Sequence, residues 1–286
     1  METPPPALLL GGRSLVAPFL IRRLAAARKP ALIASRRPGT AELPTGLASL
    51  QLDLAKPGPW RLQDGAPVLS LLPIWVLAEN RALFAAAGRI VATSSTSRFG
   101  KADSADPAER LLADKIARAE DSLTAWANAS GVPLTILRST LIYDGQTDQN
   151  VTRMARFIAK YGFFPVAAPA NGLRQPIHAD DVAAAMMAAL GAPETAGQSV
   201  TIAGGEILTY RAMAERVFAA LGKQPRFLAL PLGVLEGLYR LLTLTRLFAA
   251  KGQGFGAFRR MNEDLVFSAT PLPGFEPRPF TPTFVL

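Results

Sequence analysis

Short apolar runs alternate with longer stretches of helical periodicity along the first half of the chain. This alternation constrains the fold more than any other feature. The runs are Ala7–Leu10, Ala31–Ser35, Leu50–Asp53, Val68–Leu72, Arg89–Thr93 and Leu134–Arg138. Between them, Val16–Ala27 places Val16, Phe19, Leu20 and Leu24 at helical spacing. Val76–Ala87 and Pro107–Ala129 read as further helices. Pro107 suits a first turn, where a missing N–H costs nothing. Strands buried on both faces are continuously apolar, so the pattern predicts an α/β fold with a doubly wound parallel sheet. Such sheets bind ligands at the carboxyl ends of their strands, and chemistry is sought there.

After Asp144 the texture changes. Asn150–Tyr161 reads as a basic amphipathic helix, and Ile177–Leu190 as a short strand joined to a helix that Asp180 or Asp181 caps. Ser199–Ile202, Tyr210–Leu221 and Arg226–Leu230 continue the alternation, and an extended, proline-containing tail starts at Ala269. The expected organisation is a core over 1–145 and a smaller lobe over 146–286 interleaved with it. Leu232–Leu247 is a leucine-rich helix that covers a lobe, makes a homodimer contact or lies on a membrane surface.

Composition narrows the chemistry. The 286 residues include no Cys and one His, which excludes disulfide scaffolds, thiolate sites and a His-built metal site. The net charge of +9 is spread in pairs such as Arg22-Arg23 and Arg259-Arg260, as on a solvated surface, and does not point to nucleic acid. No secretory signal is evident, and the longest uncharged stretch, Ser122–Leu137, is broken by Gly131 and Pro133. A soluble, cytoplasmic chain without an integral membrane segment is expected.

The run Leu8–Leu10 ends at Gly11-Gly12-Arg13-Ser14, followed by a helix start. Glycines at such a turn let backbone approach a pyrophosphate at a helix N-terminus. Gly11 keeps the first place of the usual three-glycine pattern, while Ser14 and Ala17 occupy the others. By itself the loop also suits an ordinary strand-to-helix turn. Ser35-Arg36-Arg37 ends the second run, where NAD sites carry an acidic residue for the ribose hydroxyls. An Arg fork matches a 2′-phosphate, so NADP is favoured over NAD, with Arg13 as a second cation. Asp53 suits either an adenine amino group or a turn.

Further landmarks occur in order. They are Thr93-Ser94-Ser95-Thr96-Ser97-Arg98-Phe99-Gly100, Leu137-Arg138-Ser139-Thr140-Leu141-Ile142-Tyr143-Asp144, Arg174-Gln175-Pro176-Ile177-His178-Ala179-Asp180-Asp181, and a tail with Pro273, Gly274, Phe275, Pro277 and Phe280. Together they resemble the extended short-chain dehydrogenase/reductase family, the nucleotide-sugar epimerase/dehydratase group. The resemblance implies a Rossmann-type sheet with a small C-terminal α/β substrate lobe, and hydride exchange between a nicotinamide and a substrate carbon. It implies that Ser95 holds the substrate oxygen, Lys115 anchors the nicotinamide ribose, and Arg174 meets a nucleotide-sugar phosphate.

The family's proton-carrying Tyr falls at Leu111, four residues before Lys115. Leucine transfers no proton, and loss of a general acid/base removes about 10² to 10⁴ in rate. Tyr143 either substitutes or packs beside the nicotinamide pocket. His178 reads as a structural hydrogen-bonding residue. Two functions stand: an NAD(P)-dependent oxidoreductase or epimerase acting on a nucleotide-sugar or related small molecule, and a non-catalytic NADP-binding redox sensor or assembly subunit.

Overall fold

A computed structural model describes residues 4–37, 39, 42–235, 237 and 256–286. The leucine-rich helix expected over 232–247 lies outside them, apart from 232–235 and 237.

The core is a seven-stranded sheet built from β1 (Ala7–Leu10), β2 (Ala31–Ser35), β3 (Leu47–Gln51), β4 (Pro67–Ser70), β5 (Arg89–Ser95), β6 (Leu134–Ser139) and β11 (Ser199–Ile202). Their order is β11-β6-β5-β4-β1-β2-β3, and every pair is parallel. The chain winds outward in both directions from β1, the doubly wound arrangement that leaves a crevice where the winding reverses, between β1 and β4. All four residues of β1 are buried, as a central parallel strand requires.

On one face, α1 (Ala17–Ala26) packs against α6 (Ala179–Gly191), with Leu20, Leu24, Val182 and Met186 turned to the sheet. On the other, α2 (Ile74–Glu79) packs against α4 (Pro107–Ser130), with Leu77, Ile116 and Leu123 inward. Asp106 caps α4, its carboxylate accepting from the Ala108 amide at 2.9 Å, and Gly131 ends it at φ 69°. Only glycine takes that left-handed conformation without strain. A four-residue helix, α3 (Ser97–Gly100), follows β5 directly.

The smaller lobe has its own apolar core, around Ile158, Val166, Val217, Phe218 and Phe280. Its helices are α5 (Val151–Tyr161) and α7 (Tyr210–Ala220). Two-stranded pairs join β7 (Ile142–Tyr143) to β10 (Ile177–His178), β8 (Phe164–Ala167) to β13 (Phe227–Leu230), and β9 (Leu173–Arg174) to β12 (Leu208–Thr209). Residues after 146 also serve the main layer, since α6 and β11 belong to it. The helix Gly256–Arg260 then leads into the tail, which runs back over both parts. The Arg278 guanidinium donates to Asp181 at 2.7 Å and Asp180 at 2.6 Å, and Phe280 is fully buried.

One expectation about α6 is corrected. Neither Asp180 nor Asp181 is the N-cap. His178 is, with Nδ1 accepting from the Asp180 amide at 3.0 Å. The two carboxylates sit in the first turn and pair instead with Arg23 and Arg278. Burial, and then the Arg278 charge, push the His178 pKa down, which favours the neutral ring that this acceptor role needs.

Candidate functional site

A cavity of about 840 Å³ opens at the carboxyl ends of β5 and β6, roofed by the lobe and by residues 260–267. Its polar wall is formed by Ser94–Ser97 and Ser139-Thr140. Charged groups enter from Lys101, Asp106, Glu109, Arg174 and Arg260, and Leu15 joins the cavity to the loop after β1.

Ser95 lies in this wall at the end of β5, its Oγ accepting from the Ser97 amide at 3.1 Å. That leaves its O–H free to donate toward the cavity. Ser94 is held from below, donating to Glu120 Oε1 at 2.5 Å. Glu120 is buried and also accepts from Arg98 at 2.8 Å and from Arg138 at 2.7 Å. The cluster pins α4 to the ends of β5 and β6 and so fixes the serine-rich wall.

Arg174 is 3% exposed rather than a surface charge. Its guanidinium donates to the carbonyls of Leu173 and Glu263, each at 2.7 Å, and to that of Arg260, and it lies over the Tyr210 ring at 5.4 Å. None of its hydrogen-bond partners among the described residues is a carboxylate. Burial lowers its pKa. A buried cation held by neutral carbonyls keeps its attraction for an anion.

Three residues singled out in the sequence stand outside the cavity wall. Leu111 is 69% exposed and does not line the cavity, where Ala108, Glu109 and Leu112 form the α4 face. Lys115, one turn on, also lies outside the wall, with its Nζ 4.5 Å from the centre of the Trp75 ring. Tyr143 is in the lobe core, edge-on to His178 and Phe280 at 5.1 and 4.9 Å. Burial, aided by the Asp181 charge, pushes its pKa up to about 12, and it too is absent from the cavity wall.

The loop after β1 is close-packed. Gly11 has φ 82°, and a Cβ there would stand 3.2 Å from the Leu71 backbone. A Cβ on Gly12 would meet Ile33 Cγ2 at 2.7 Å. The Gly12 amide donates to the Ala34 carbonyl at 3.1 Å, which holds the turn against β2. Ser14 Oγ is buried without a hydrogen-bond partner among the described residues. Arg13, Arg36 and Arg37 are exposed, and no ion pair engages them among the described residues. Asp53 is exposed and closes its own turn, accepting from the Ala55 amide at 3.1 Å.

Sequence reasoning missed Lys101, Glu109 and Arg260. Glu109 pairs with Lys101 at 3.4 Å and with Arg260. No motif links them, since a short loop, a helix start and a distant helix bring them together. Arg260, read as part of a solvated pair, has only 20% of its side chain exposed.

No protein-family model matches the sequence. It is 30% identical over 131 residues to the mitochondrial NADH dehydrogenase [ubiquinone] 1 alpha subcomplex subunit 9 of Arabidopsis thaliana, covering 45% of this chain and 31% of that protein. It is 30% identical over 237 residues to the 2'-dehydrokanamycin reductase of Streptomyces kanamyceticus, covering 76% and 66%. The chain thus spans under a third of the first relative's length and just under two thirds of the second's. Among solved structures, MoeE5 in complex with UDP-glucuronic acid and NAD superposes with a TM-score of 0.63 at 19% identity, over 79% of this chain and 86% of that one. A UDP-galactose 4-epimerase gives 0.63 at 14% identity, over 91% and 98%. DesIV, a dTDP-glucose 4,6-dehydratase from Streptomyces venezuelae with NAD bound, gives 0.61 at 17% identity, over 79% and 84%. The chain has the Rossmann-type fold of these nucleotide-sugar epimerases and dehydratases.

Proposed function

We propose that this chain is an extended short-chain dehydrogenase/reductase that binds a nicotinamide dinucleotide, NADP in preference to NAD. Its cavity then takes a phosphorylated small molecule, a nucleotide-sugar or a related carbonyl or alcohol. The observation that carries the reading is the junction at Leu15. There a bare-backbone glycine turn, holding the unpartnered Ser14 Oγ, runs into a cavity walled by serines and a buried arginine.

The residues fit the dinucleotide. Gly11, Gly12 and Ser14 would meet the pyrophosphate, where a β-carbon on either glycine would crowd its neighbours and the Ser14 hydroxyl would gain an acceptor. Arg36 and Arg37, with Arg13, would meet a 2′-phosphate. Lys115 would reach ribose hydroxyls and Asp53 the adenine amino group. The bound nicotinamide would supply or accept hydride. The chain's own part is positional. Ser95 would donate its O–H to a substrate oxygen, and Arg174 would attract a phosphate, while the serine-rich wall stays fixed by Glu120.

A thermal-shift comparison with NAD and NADP tests binding, since a ligand of the native state raises its melting temperature. Arg36→Ala should weaken NADP roughly 10-fold or more, the worth of one charge-assisted contact, and leave NAD nearly unchanged. An equal loss for both sinks the 2′-phosphate assignment.

A second reading, a non-catalytic dinucleotide-binding subunit or sensor, is favoured by one observation. No tyrosine among the described residues lines the cavity. Dinucleotide binding without oxidation of NADPH by any nucleotide-ketosugar would select it.

A further inference from the structure

We propose that Lys101 is the proton donor of this site, supplying what position 111 cannot, with Glu109 and Arg260 as its positioning residues. The inference rests on the hydride-transfer reading above.

Lys101 follows α3 directly, its amide donating to the Ser97 carbonyl at 3.2 Å, so it is tied to the serine-rich end of β5. Its side chain is 23% exposed and stands in the same wall as Ser95. The other charged groups of that wall are unsuited to the task. Asp106 is engaged as the α4 cap. Glu109 is shared between Lys101, Arg260 and the Ser104 hydroxyl, which donates to it at 2.7 Å. Arg174 and Arg260 do not release protons in the neutral range.

The surroundings move Lys101 toward that role. Burial pushes its ammonium pKa below the ordinary lysine value, and the Arg260 charge pushes the same way, while Asp106 opposes both. Glu109 keeps the chain in place, yet its charge is divided with Arg260. A lysine lowered in this manner is a more effective acid near neutrality than an exposed one.

In the reductive direction the carbonyl carbon gains a hydride, with its two electrons, from a reduced nicotinamide dinucleotide. The C=O π pair takes the Lys101 proton at oxygen. The products are an alcohol, the oxidised dinucleotide and a neutral Lys101 amine, which recovers its proton from water. Ser95 donates a hydrogen bond to the same oxygen and orients it.

The test has two arms on the full chain. In the first, competitive acetylation across a pH series is quantified on the Lys101 peptide, with exposed Lys29 and Lys223 as internal references. Lys101 should reach half-maximal labelling at lower pH than both. In the second, NADPH oxidation is followed with a uridine diphosphate-4-ketosugar. Lys101→Met and Lys101→Arg should each lower turnover about 10²-fold or more, with NADPH affinity within about twofold of the parent. Turnover retained by Lys101→Arg means that charge alone matters and overturns the proposal. Normal NADPH binding with Lys101 titrating like Lys29 and Lys223 overturns the proton-donor role alone. A parent that binds no dinucleotide overturns the functional reading with it.

Discussion

Replacing Glu120 by Gln tests whether the buried charge cluster fixes the serine-rich wall. The carboxylate is 1% exposed, and its Oε2 accepts from Arg98 Nη1 at 2.8 Å, Arg138 Nε at 2.8 Å and Arg138 Nη2 at 2.7 Å. Gln keeps the shape and one acceptor oxygen but removes the charge. Arg98 retains Asp121 at 2.9 Å. Among the described residues Arg138 retains only the Phe99 ring, 5.3 Å from its Cζ, worth about 0.5–1 kcal/mol. Breaking a buried pair costs about 3–5 kcal/mol, so after these offsets Glu120→Gln should cost about 2–3 kcal/mol. With an unfolding entropy of about 2.1 cal/mol/K per residue over 286 residues, the melting temperature should fall by roughly 4 °C. Urea titration and calorimetry read both quantities. Adding Arg138→Met should recover most of the loss, because the orphaned cation is then gone, with a coupling of about 2 kcal/mol. A cost under about 1 kcal/mol for Glu120→Gln, or simple additivity in the double variant, refutes this account of the wall.

Two smaller perturbations check the loops. Gly12→Ala would place a Cβ 2.7 Å from the branched Ile33 Cγ2, so the turn must move off β2. A stability cost of about 1–3 kcal/mol is expected with a clear drop in dinucleotide affinity, and an unchanged NADPH fluorescence titration would contradict the loop's role. Burial alone would raise the Asp144 pKa, but hydrogen bonds from the Thr147 hydroxyl and the amides of Gln146, Thr147 and Asp148 outweigh it and hold the pKa down to about 2. A depressed carboxyl contributes stability that is whole above its unfolded value near ~3.9 and is lost as pH falls toward the folded one. Asp144→Asn should therefore flatten the acid limb of a urea-stability profile between about pH 4 and 2, and an acid slope identical to the parent's would rule this out.

The sheet was legible where strands are buried on both faces. The residues expected for β1 and β2 are those observed, because an inner parallel strand is a largely continuous apolar run. At the edge the signal weakens. Expected at Leu50–Asp53, β3 runs over Leu47–Gln51, with its residues partly or fully exposed. The helix expected over Val76–Ala87 is α2, Ile74–Glu79, followed by a tighter turn over Arg81–Phe84. Asn80 marks the break, its side-chain Nδ2 donating to the Val76 carbonyl at 2.8 Å in competition with the helix. In the site, Ser95 and Arg174 were legible because each sits on a strand in an ordered series of landmarks. Leu111 was expected at the tyrosine position of the resembled family, but periodicity alone did not show that Leu112, not Leu111, lines the cavity. Lys101, Glu109 and Arg260 were hidden because their meeting depends on how the lobe folds over the sheet.

That meeting also changes what the basic balance of the chain means. Arg174 and Arg260 stand in one wall but are held in opposite ways. Arg260 is paired with Glu109, which it shares with Lys101, while Arg174 is fastened by the carbonyls of Leu173, Arg260 and Glu263. Carbonyls fix a guanidinium in place without cancelling its charge. In a low-dielectric wall, that remaining charge acts over a longer range than the exposed Arg36 and Arg37 do in water. Two of the three carbonyls come from residues 260 and 263, so the charge is in place only when that segment is packed on the lobe. On the proposed function, the attraction of the cavity for an anionic ligand would therefore depend on the packing of residues 260–267 over the strand ends.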